Sequence, residues 1–215
     1  MAEASELLDE ASEFEYQLES SEGALWTGSR LFIGVCLMAW SGVAFAYFYL
    51  RASDQVGNWD PGGVHPSRIL GTLIAFGVVL GALLVAYARY KINRGLTFEF
   101  QVAGWLTVMI GVILTGFQIW QMARNRFFPA VGGYTSVYTG FAPLNAAMIF
   151  GGTYWLETKV ARALRLRREI GTYVDLAHSD LPEARLFRAN LEGCAAFWWF
   201  MAAMSILFWV LFYIL

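Results

Sequence analysis

The sequence predicts an all-α integral membrane bundle of five transmembrane helices. Hydrophobic residues make up 58% of the 215 residues and charged residues only 15%, and the mean hydropathy is +0.49. A soluble domain carries about 25% charged residues. The charges are also unevenly placed, because five stretches of 20, 20, 24, 30 and 23 residues contain no Asp, Glu, Lys or Arg. Each is long enough to cross the hydrocarbon core as a helix, which takes roughly 20 residues.

The charge-free stretches define the five predicted spans. Their approximate limits are residues 29–50, 67–90, 99–123, 135–157 and 191–215. The fourth stretch is longer than a span requires, but it opens with Phe127, Pro129 and the pair Gly132 and Gly133. Pro and paired Gly favour a loop, so the fourth span is predicted to begin after them. Residues 26–215 together are predicted to form one five-helix membrane domain.

The first 25 residues are predicted to form a separate acidic amphipathic segment. They hold eight of the seventeen acidic residues. Leu7, Ala11, Phe14 and Leu18 recur at the spacing of one helical face. Two interpretations of residues 1–25 remain open. One is a solvated helix or frayed tail, and the other is a helix that docks its apolar stripe on a neighbouring subunit or on the cytoplasmic loops.

The distribution of Lys and Arg predicts the orientation of the bundle. Eleven of the fifteen lie in the N-terminal segment, the second connection and the loop 158–190, whereas four lie in the other two connections. Cytoplasmic loops carry the excess of positive charge, so the N-terminus is predicted to be cytoplasmic and the C-terminus outside. The basic loop 158–190 is predicted to begin by continuing the fourth helix out of the membrane. A phospholipid headgroup patch is the alternative interpretation of its charge.

Several classes of function are excluded by composition. A net charge of −2 without a basic stripe argues against nucleic acid as a partner. Cys36 and Cys194 lie in apolar spans, so they predict neither a disulfide framework nor a four-ligand zinc site. His65 and His178 lie in loops on opposite predicted sides, so they cannot jointly ligate a haem. The chain is therefore predicted to bind no haem, copper or other metal of its own.

The polar residues within the spans are neutral. Proton and ion transport usually places ionisable residues inside the bilayer, and the five stretches contain no acidic or basic residue. The amides Gln118, Gln121 and Asn145 are predicted to form hydrogen bonds between helices. Small residues at intervals that let helices approach closely recur in the second span, at Gly71, Ala75, Gly77 and Gly81.

Five short motifs follow one another along the chain. The first helix ends with Ala46-Tyr47-Phe48-Tyr49-Leu50-Arg51, and the next loop contains Trp59 and Pro61 in a Trp-x-Pro pattern. The later motifs are the seven-residue interval from Gly111 to Gln118, the segment Thr139-Gly140-Phe141, and the entry to the last helix with Glu192 and Trp198. In this order and spacing, the motifs resemble those of subunit III of the haem-copper oxidases, in the short bacterial form with five spans. The resemblance covers about residues 26–215.

This chain departs from the family at positions that are ionisable in other members. A family glutamate falls at Cys36, and the acid that follows the family's glutamine falls at Gln121. The two histidines after Thr-Gly-Phe become Ala142 and Asn145. The histidine and aspartate of the final helix become Trp199 and Ala202. Proton-related roles of those positions in the family are therefore not expected here.

The resemblance implies a non-catalytic structural subunit of a bacterial terminal oxidase in the cytoplasmic membrane. Such a subunit would stabilise the catalytic subunit I, hold phospholipid and line a path for oxygen, while the haem and copper lie in partner subunits. An accessory subunit of a nitric oxide reductase, or of another divergent respiratory complex, is an alternative. A small transporter or channel is a further alternative from another class. An enzyme acting alone is not expected, since no nucleophile–base pair or metal cluster can be assembled from these residues.

Overall fold

A computed structural model describes residues 2–61, 65–124, 131–169, 176 and 178–215 of the chain, with the side chains of 2–11 and 167–169 left out. Within these ranges the backbone is helical and contains no strand. The helices are α1 (Ala2–Ala52), α2 (Arg68–Ile92), α3 (Thr97–Arg124), α4 (Gly133–Glu169) and α5 (Pro182–Tyr213). The all-helical prediction is therefore confirmed for the described part of the chain.

Helix α1 is a single helix of 51 residues, which is roughly 75 Å at 1.5 Å per residue. No break separates the acidic residues 1–25 from the first span, so the segment and the span share one helix from Ala2 onward. Of the predicted apolar stripe, Leu18 is buried and Phe14 is exposed. The side chains of Leu7 and Ala11 lie outside the described residues.

Helices α2 and α3 are antiparallel neighbours because their connection is short. The hydroxyl of Ser67 accepts a hydrogen bond from the backbone N–H of Leu70 and caps the start of α2. At the other end, Gly95 adopts φ +74°, a conformation that glycine tolerates best. Its N–H donates to the carbonyl of Ile92 at 3.0 Å. The chain therefore reverses within a few residues.

Helix α4 begins at Gly133 and continues to Glu169, so one helix runs well past residue 157, the predicted end of the fourth span. The predicted loop residues Phe127 and Pro129 lie outside the described residues. By length and composition, α1 from Ser12, α2, α3 and α5 are long and apolar enough to cross a membrane. Helix α4 is long enough but more polar, and its polar side chains Thr135, Asn145 and Thr153 are buried in the bundle. Its membrane crossing stays a prediction.

The helices pack so that α2 lies between α3 and α5, and α4 contacts α3, α1 and α5. Helix α1 lies against α5 and α4. At one end of the bundle, Arg51, His65 and Tyr213 line one pocket, and at the other end Arg89 pairs with Glu192. The described residues of the first connection and those of the second therefore lie at opposite ends of the bundle. Which face is cytoplasmic stays a prediction.

Glycines let large side chains cross between helices, as the small residues of α2 predict. A Cβ atom on Gly81 would lie 2.5 Å from Cζ3 of Trp198, and one on Gly71 would overlap the ring of Tyr213. One turn earlier on α2, a Cβ on Gly77 would lie 2.6 Å from Leu114 of α3. Close approach without a side chain is the packing mode of small residues in membrane helices.

Candidate functional site

The buried amides of α3 and α4 form one polar contact in the middle of the bundle. Asn145 Nδ2 donates a hydrogen bond of 2.9 Å to Gln118 Oε1, and both side chains are buried. This contact joins α3 to α4 and confirms the predicted interhelix bonding for these two residues. The side chain of Gln118 also interacts with that of Tyr138 on α4.

A second polar contact lies one turn further along α3. Gln121 Nε2 donates to the carbonyl of Ser67 at 3.1 Å and to the hydroxyl of Tyr213 at 3.2 Å. The hydroxyls of Tyr213 and Tyr138 are 3.4 Å apart. Tyr134 donates to the carbonyl of Phe212 at 2.8 Å. Four elements, namely the start of α2 and helices α3, α4 and α5, therefore meet through hydrogen bonds at this end of the bundle.

The loop after α1 is organised by the carboxylate of Asp54. Its oxygens accept hydrogen bonds from the backbone N–H groups of Val56 at 3.3 Å, Asn58 at 2.8 Å and Trp59 at 2.9 Å. These bonds, above all the one from Trp59, lower the pKa of Asp54 from its ordinary value of 3.8. The loop therefore holds its shape around an ionised aspartate.

Trp59 attaches this loop to the start of α4. Its ring makes edge contacts with Tyr47, at a centroid distance of 5.0 Å, and with Tyr134, at 5.9 Å. Its carbonyl accepts a hydrogen bond from the N–H of Tyr134 at 2.9 Å. Pro61 lies against Gly132, where a Cβ atom would be 2.7 Å from Pro61 Cδ. The two residues of the predicted Trp-x-Pro match thus join α1 to α4.

An aromatic cluster surrounds the Thr139-Gly140-Phe141 segment. The ring of Phe141 lies 4.7 Å from that of Phe212, 5.2 Å from that of Phe208 and 5.5 Å from that of Trp40. The hydroxyl of Thr139 donates to the carbonyl of Thr135 within α4. Gly140 is exposed, and its added Cβ would meet open space. Of the three matching residues, only Phe141 joins α4 to α1 and α5.

Gly111 and Trp198 are packing positions. A Cβ on Gly111 would overlap Thr153 Oγ1 and lie 3.0 Å from Thr153 Cβ, so α3 and α4 cross closely there. Trp198 is fully buried, and its Nε1 donates to the carbonyl of Gly152 at 3.2 Å. Its ring fills the space beside Gly81. Both positions therefore determine how near neighbouring helices come.

The opposite end of the bundle is joined by ion pairs. Glu192 binds Arg89 and ties α5 to α2. Arg185 binds Glu22 through Nε at 2.7 Å and through a second nitrogen at 3.0 Å, and it also binds Glu15. An open groove of about 640 Å³ lies between these pairs. The Arg185 contacts attach the acidic part of α1 to the start of α5.

The six positions that replace ionisable family residues are mostly interior. Cys36, Gln121, Ala142, Asn145 and Ala202 are buried, whereas Trp199 is 48% exposed on the outer surface of α5. Gln121 and Asn145 belong to the two polar contacts, and Cys36 lies in the aromatic core cluster of Trp40. The structure does not bring these positions together into one site.

Within the described part of the chain, no group of three or more His, Cys, Asp or Glu side chains could hold a metal ion. His65 lies beside Asp60, with 3.1 Å between Nε2 and Oδ2, at the Tyr213 end. His178 lies just before α5, at the other end of that helix. Cys36 and Cys194 are buried free thiols.

Comparison with known proteins identifies relatives of one kind. No protein-family model matches the chain. Two relatives are cytochrome c oxidase subunit 3 of Branchiostoma lanceolatum and of Branchiostoma floridae. Each is 31% identical over 117 residues, which is 52% of this chain and 44% of the relative. The similarity is to subunit III of cytochrome c oxidase. The match spans less than half the length of these subunit III chains. The similarity therefore does not by itself assign their activity to this chain.

Sequence reasoning missed two features of the site. The charge and hydropathy pattern indicates no partner for Tyr213, whereas its hydroxyl accepts a hydrogen bond from Gln121 and lies near that of Tyr138. It counted Arg185 only as a positive charge, whereas Arg185 holds two acids of α1. Glu15 and Glu22 are seven residues apart, which is about two helical turns, so both carboxylates lie on one face of α1. This spacing is a sequence signal for a shared basic partner.

Proposed function

We propose that this chain is a non-catalytic subunit III-like subunit of a haem-copper terminal oxidase in a bacterial cytoplasmic membrane. The observation that carries the proposal is the similarity to two cytochrome c oxidase subunit 3 chains, found in a chain whose helices form an apolar bundle. The haem and copper would lie in partner subunits. Phospholipid and the catalytic subunit I would cover the apolar surface.

The outer surface of the bundle supports a role in packing. Helices α1 and α3 expose large apolar side chains along their spans, including Leu31, Val35, Met38, Phe45, Leu106, Met109, Val112 and Ile113. Such a surface needs lipid or a partner helix around it. The interior has neutral amides in place of acids and histidines, so it supplies hydrogen bonds between helices and not a chain of titratable groups.

Purification from the native membrane tests the proposal. A tagged chain extracted in mild detergent should bring with it a protein that shows haem absorbance and contains copper. The same tag on an unrelated membrane protein of the same cells is the control. Recovery of this chain alone, or with partners that carry no haem, would contradict the proposal.

Removal of the gene tests the stabilising role. The oxidase from a strain without this chain should keep its initial rate of oxygen consumption and then lose activity faster during turnover than the complete oxidase. Reintroducing the chain should restore the lifetime. An oxidase whose activity lasts equally long without the chain would contradict a stabilising role while leaving membership of the complex intact.

The neutral residues at Cys36, Gln121, Ala142, Asn145, Trp199 and Ala202 favour a second candidate. A divergent complex, such as a nitric oxide reductase with a subunit III-like accessory chain, would not need the ionisable interior of the oxidase family. The gas consumed by the purified complex separates the two candidates. Oxygen consumption supports the oxidase, and nitric oxide consumption supports the second candidate.

A further inference from the structure

A surface pocket at the Tyr213 end of the bundle holds two arginines that have no ion-pair partner among the described residues. Arg51 lies in the last turn of α1 and Arg68 is the first residue of α2, and both line this pocket of about 390 Å³. Both arginines are exposed, and no carboxylate of the described chain lies within ion-pair distance of either one. The pocket therefore presents two cations to a ligand.

The acidic side chain of the pocket is held by another group. Asp60 lies beside His65, with 3.1 Å between Oδ2 and Nε2. Leu215, the last residue of the sequence, also borders the pocket and forms no ion pair with an arginine in the part of the chain that the structure describes. The charge of the two guanidinium groups is therefore not neutralised by direct contact within the chain.

Tyr47 holds Arg51 in place at the pocket wall. Its hydroxyl accepts a hydrogen bond of 3.1 Å from an Arg51 nitrogen, and the guanidinium carbon lies 5.9 Å from the centre of its ring. The ring of Tyr47 is itself buried between those of Trp59, at 5.0 Å, and Phe212, at 5.6 Å. A donor that is already positioned loses less conformational entropy when it binds, and a guanidinium suits the oxygens of a phosphate.

The start of α2 adds partial positive charge to the same pocket. The first backbone N–H groups of a helix have no partner within the helix, and Ser67 caps the one of Leu70. Arg68 stands at this end of a helix of 25 residues. Helix N-termini stabilise anions, and phosphate is the group most often found there.

The surface next to the pocket is apolar and begins where a membrane span begins. Arg51 and Arg68 bound the first two predicted spans, so both lie at the predicted depth of lipid headgroups. From Arg68 onward, α2 exposes Ile69, Leu73 and Phe76 by 75%, 50% and 58%. Their spacing of four and three residues places them on one helical face. An acyl chain can lie along this face while its headgroup reaches the pocket.

We propose that this pocket binds a phosphate group and that the headgroup of a phospholipid supplies it. Arg51 and Arg68 bind the phosphate oxygens, the start of α2 adds its N–H groups, and the apolar face of α2 receives an acyl chain. A free phosphate would use the same cations but not that face. The inference rests on the membrane location in the proposed function and does not require an oxidase as partner.

Native mass spectrometry of the purified full chain, with any subunits that accompany it, tests the proposal by titration with phosphatidylglycerol. We expect one lipid to bind more tightly than the rest. Arg51→Gln and Arg68→Gln should each weaken that binding by about fivefold, the upper range for an ion pair in contact with water. Diacylglycerol with the same acyl chains lacks the phosphate and should not compete. Unchanged affinity in both variants, or equal binding of diacylglycerol, would overturn the proposal.

Glycerol phosphate separates the two sources of the phosphate group. It carries the same charge without acyl chains, so it should not displace phosphatidylglycerol at equal concentration. Displacement at equal concentration would keep the phosphate site but overturn the lipid as its ligand.

Arg94 provides the matched control at the opposite end of the bundle. Its guanidinium lies over the ring of Tyr90 at 4.3 Å, as that of Arg51 lies over Tyr47, but it does not line the pocket. Arg94→Gln should leave the affinity for the tightly bound lipid unchanged, and an equal loss there would overturn the assignment to this pocket. The haem absorbance that accompanies each variant is recorded in the same preparations, so failure of the lipid site and failure of the proposed function are distinguished.

Discussion

Replacing Gly111 with alanine should destabilise the bundle, although alanine is the better helix former. The added Cβ would overlap Thr153 Oγ1 and lie 3.0 Å from both Cβ and Cγ2 of Thr153. Thr153 cannot turn away freely, because its hydroxyl donates to the carbonyl of Ile149 at 2.7 Å. The substitution therefore forces α3 and α4 apart or breaks that hydrogen bond.

The magnitude follows from three contributions. Overpacking a close contact costs about 1–3 kcal/mol, and a lost hydrogen bond inside a membrane protein costs about 0.6 kcal/mol. Replacing glycine by alanine stabilises the helix by about 0.5–1 kcal/mol, which offsets part of these costs. The net loss for Gly111→Ala is therefore about 0.6–3 kcal/mol. For a chain of this size, this lowers the thermal midpoint by about 2–4 °C per kcal/mol.

Gly116 provides the matched control on the same helix. A Cβ on Gly116 meets open space, so Gly116→Ala should keep only the gain in helix propensity and raise the midpoint slightly. Thermal unfolding in detergent, followed by the circular dichroism of the helices, measures both variants. Thr153→Ala should partly restore the Gly111→Ala variant, because it removes the overlapping atoms. A Gly111→Ala protein as stable as Gly116→Ala, or no recovery with Thr153→Ala, would refute the reasoning.

Three further perturbations have defined outcomes. Arg185→Gln should change the overall stability little, because the pairs are partly exposed, yet speed amide exchange around Glu22. An unchanged exchange rate there would contradict the attachment of α1 to α5. Trp198→Ala should cost about 3–5 kcal/mol, because the fully buried ring is lost. Trp198→Phe should cost less, because it keeps one buried ring and loses the bond to Gly152 and part of the packing. Equal unfolding midpoints for the two variants would argue against this packing. The pKa of Asp54 is lowered on folding, so its contribution to loop stability is complete above pH 3.8 and is lost as the pH falls through the folded-state pKa. The tryptophan fluorescence of the wild-type protein should change as the pH falls through this pKa, because Trp59 is hydrogen-bonded to Asp54. Asp54→Asn should abolish that change.

The charge-free stretches predicted the helices well because the membrane sets both composition and length. The second predicted span, 67–90, corresponds to α2 at Arg68–Ile92, and the third, 99–123, to α3 at Thr97–Arg124. The last helix begins at Pro182, well before the predicted start of the span at 191. Charge patterns mark where a helix enters hydrocarbon, and they do not mark where it ends in water.

The partners of the polar groups were less predictable than the helices. The spacing of Gln118 and Gln121 places them on one helical face, but Gln118 binds Asn145 whereas Gln121 binds Tyr213. Which partner each amide finds depends on the rotation and depth of the neighbouring helix. Those quantities are set at close crossings such as Gly111, and the sequence alone does not specify them.

The unbroken course of α1 couples the acidic end of the chain to the rotation of its membrane part. Glu15, Leu18 and Glu22 share one face of the helix, which meets α5 through Arg185. Each residue turns an α-helix by about 100°. One alanine inserted between Gly23 and Trp26 would therefore swing this face about a quarter turn away from α5, whereas insertion of a whole turn would return it to phase at a different height. The contacts of Arg185 with α1 thus depend on the helical phase of α1, and single-residue insertions in its amino-terminal half would break them.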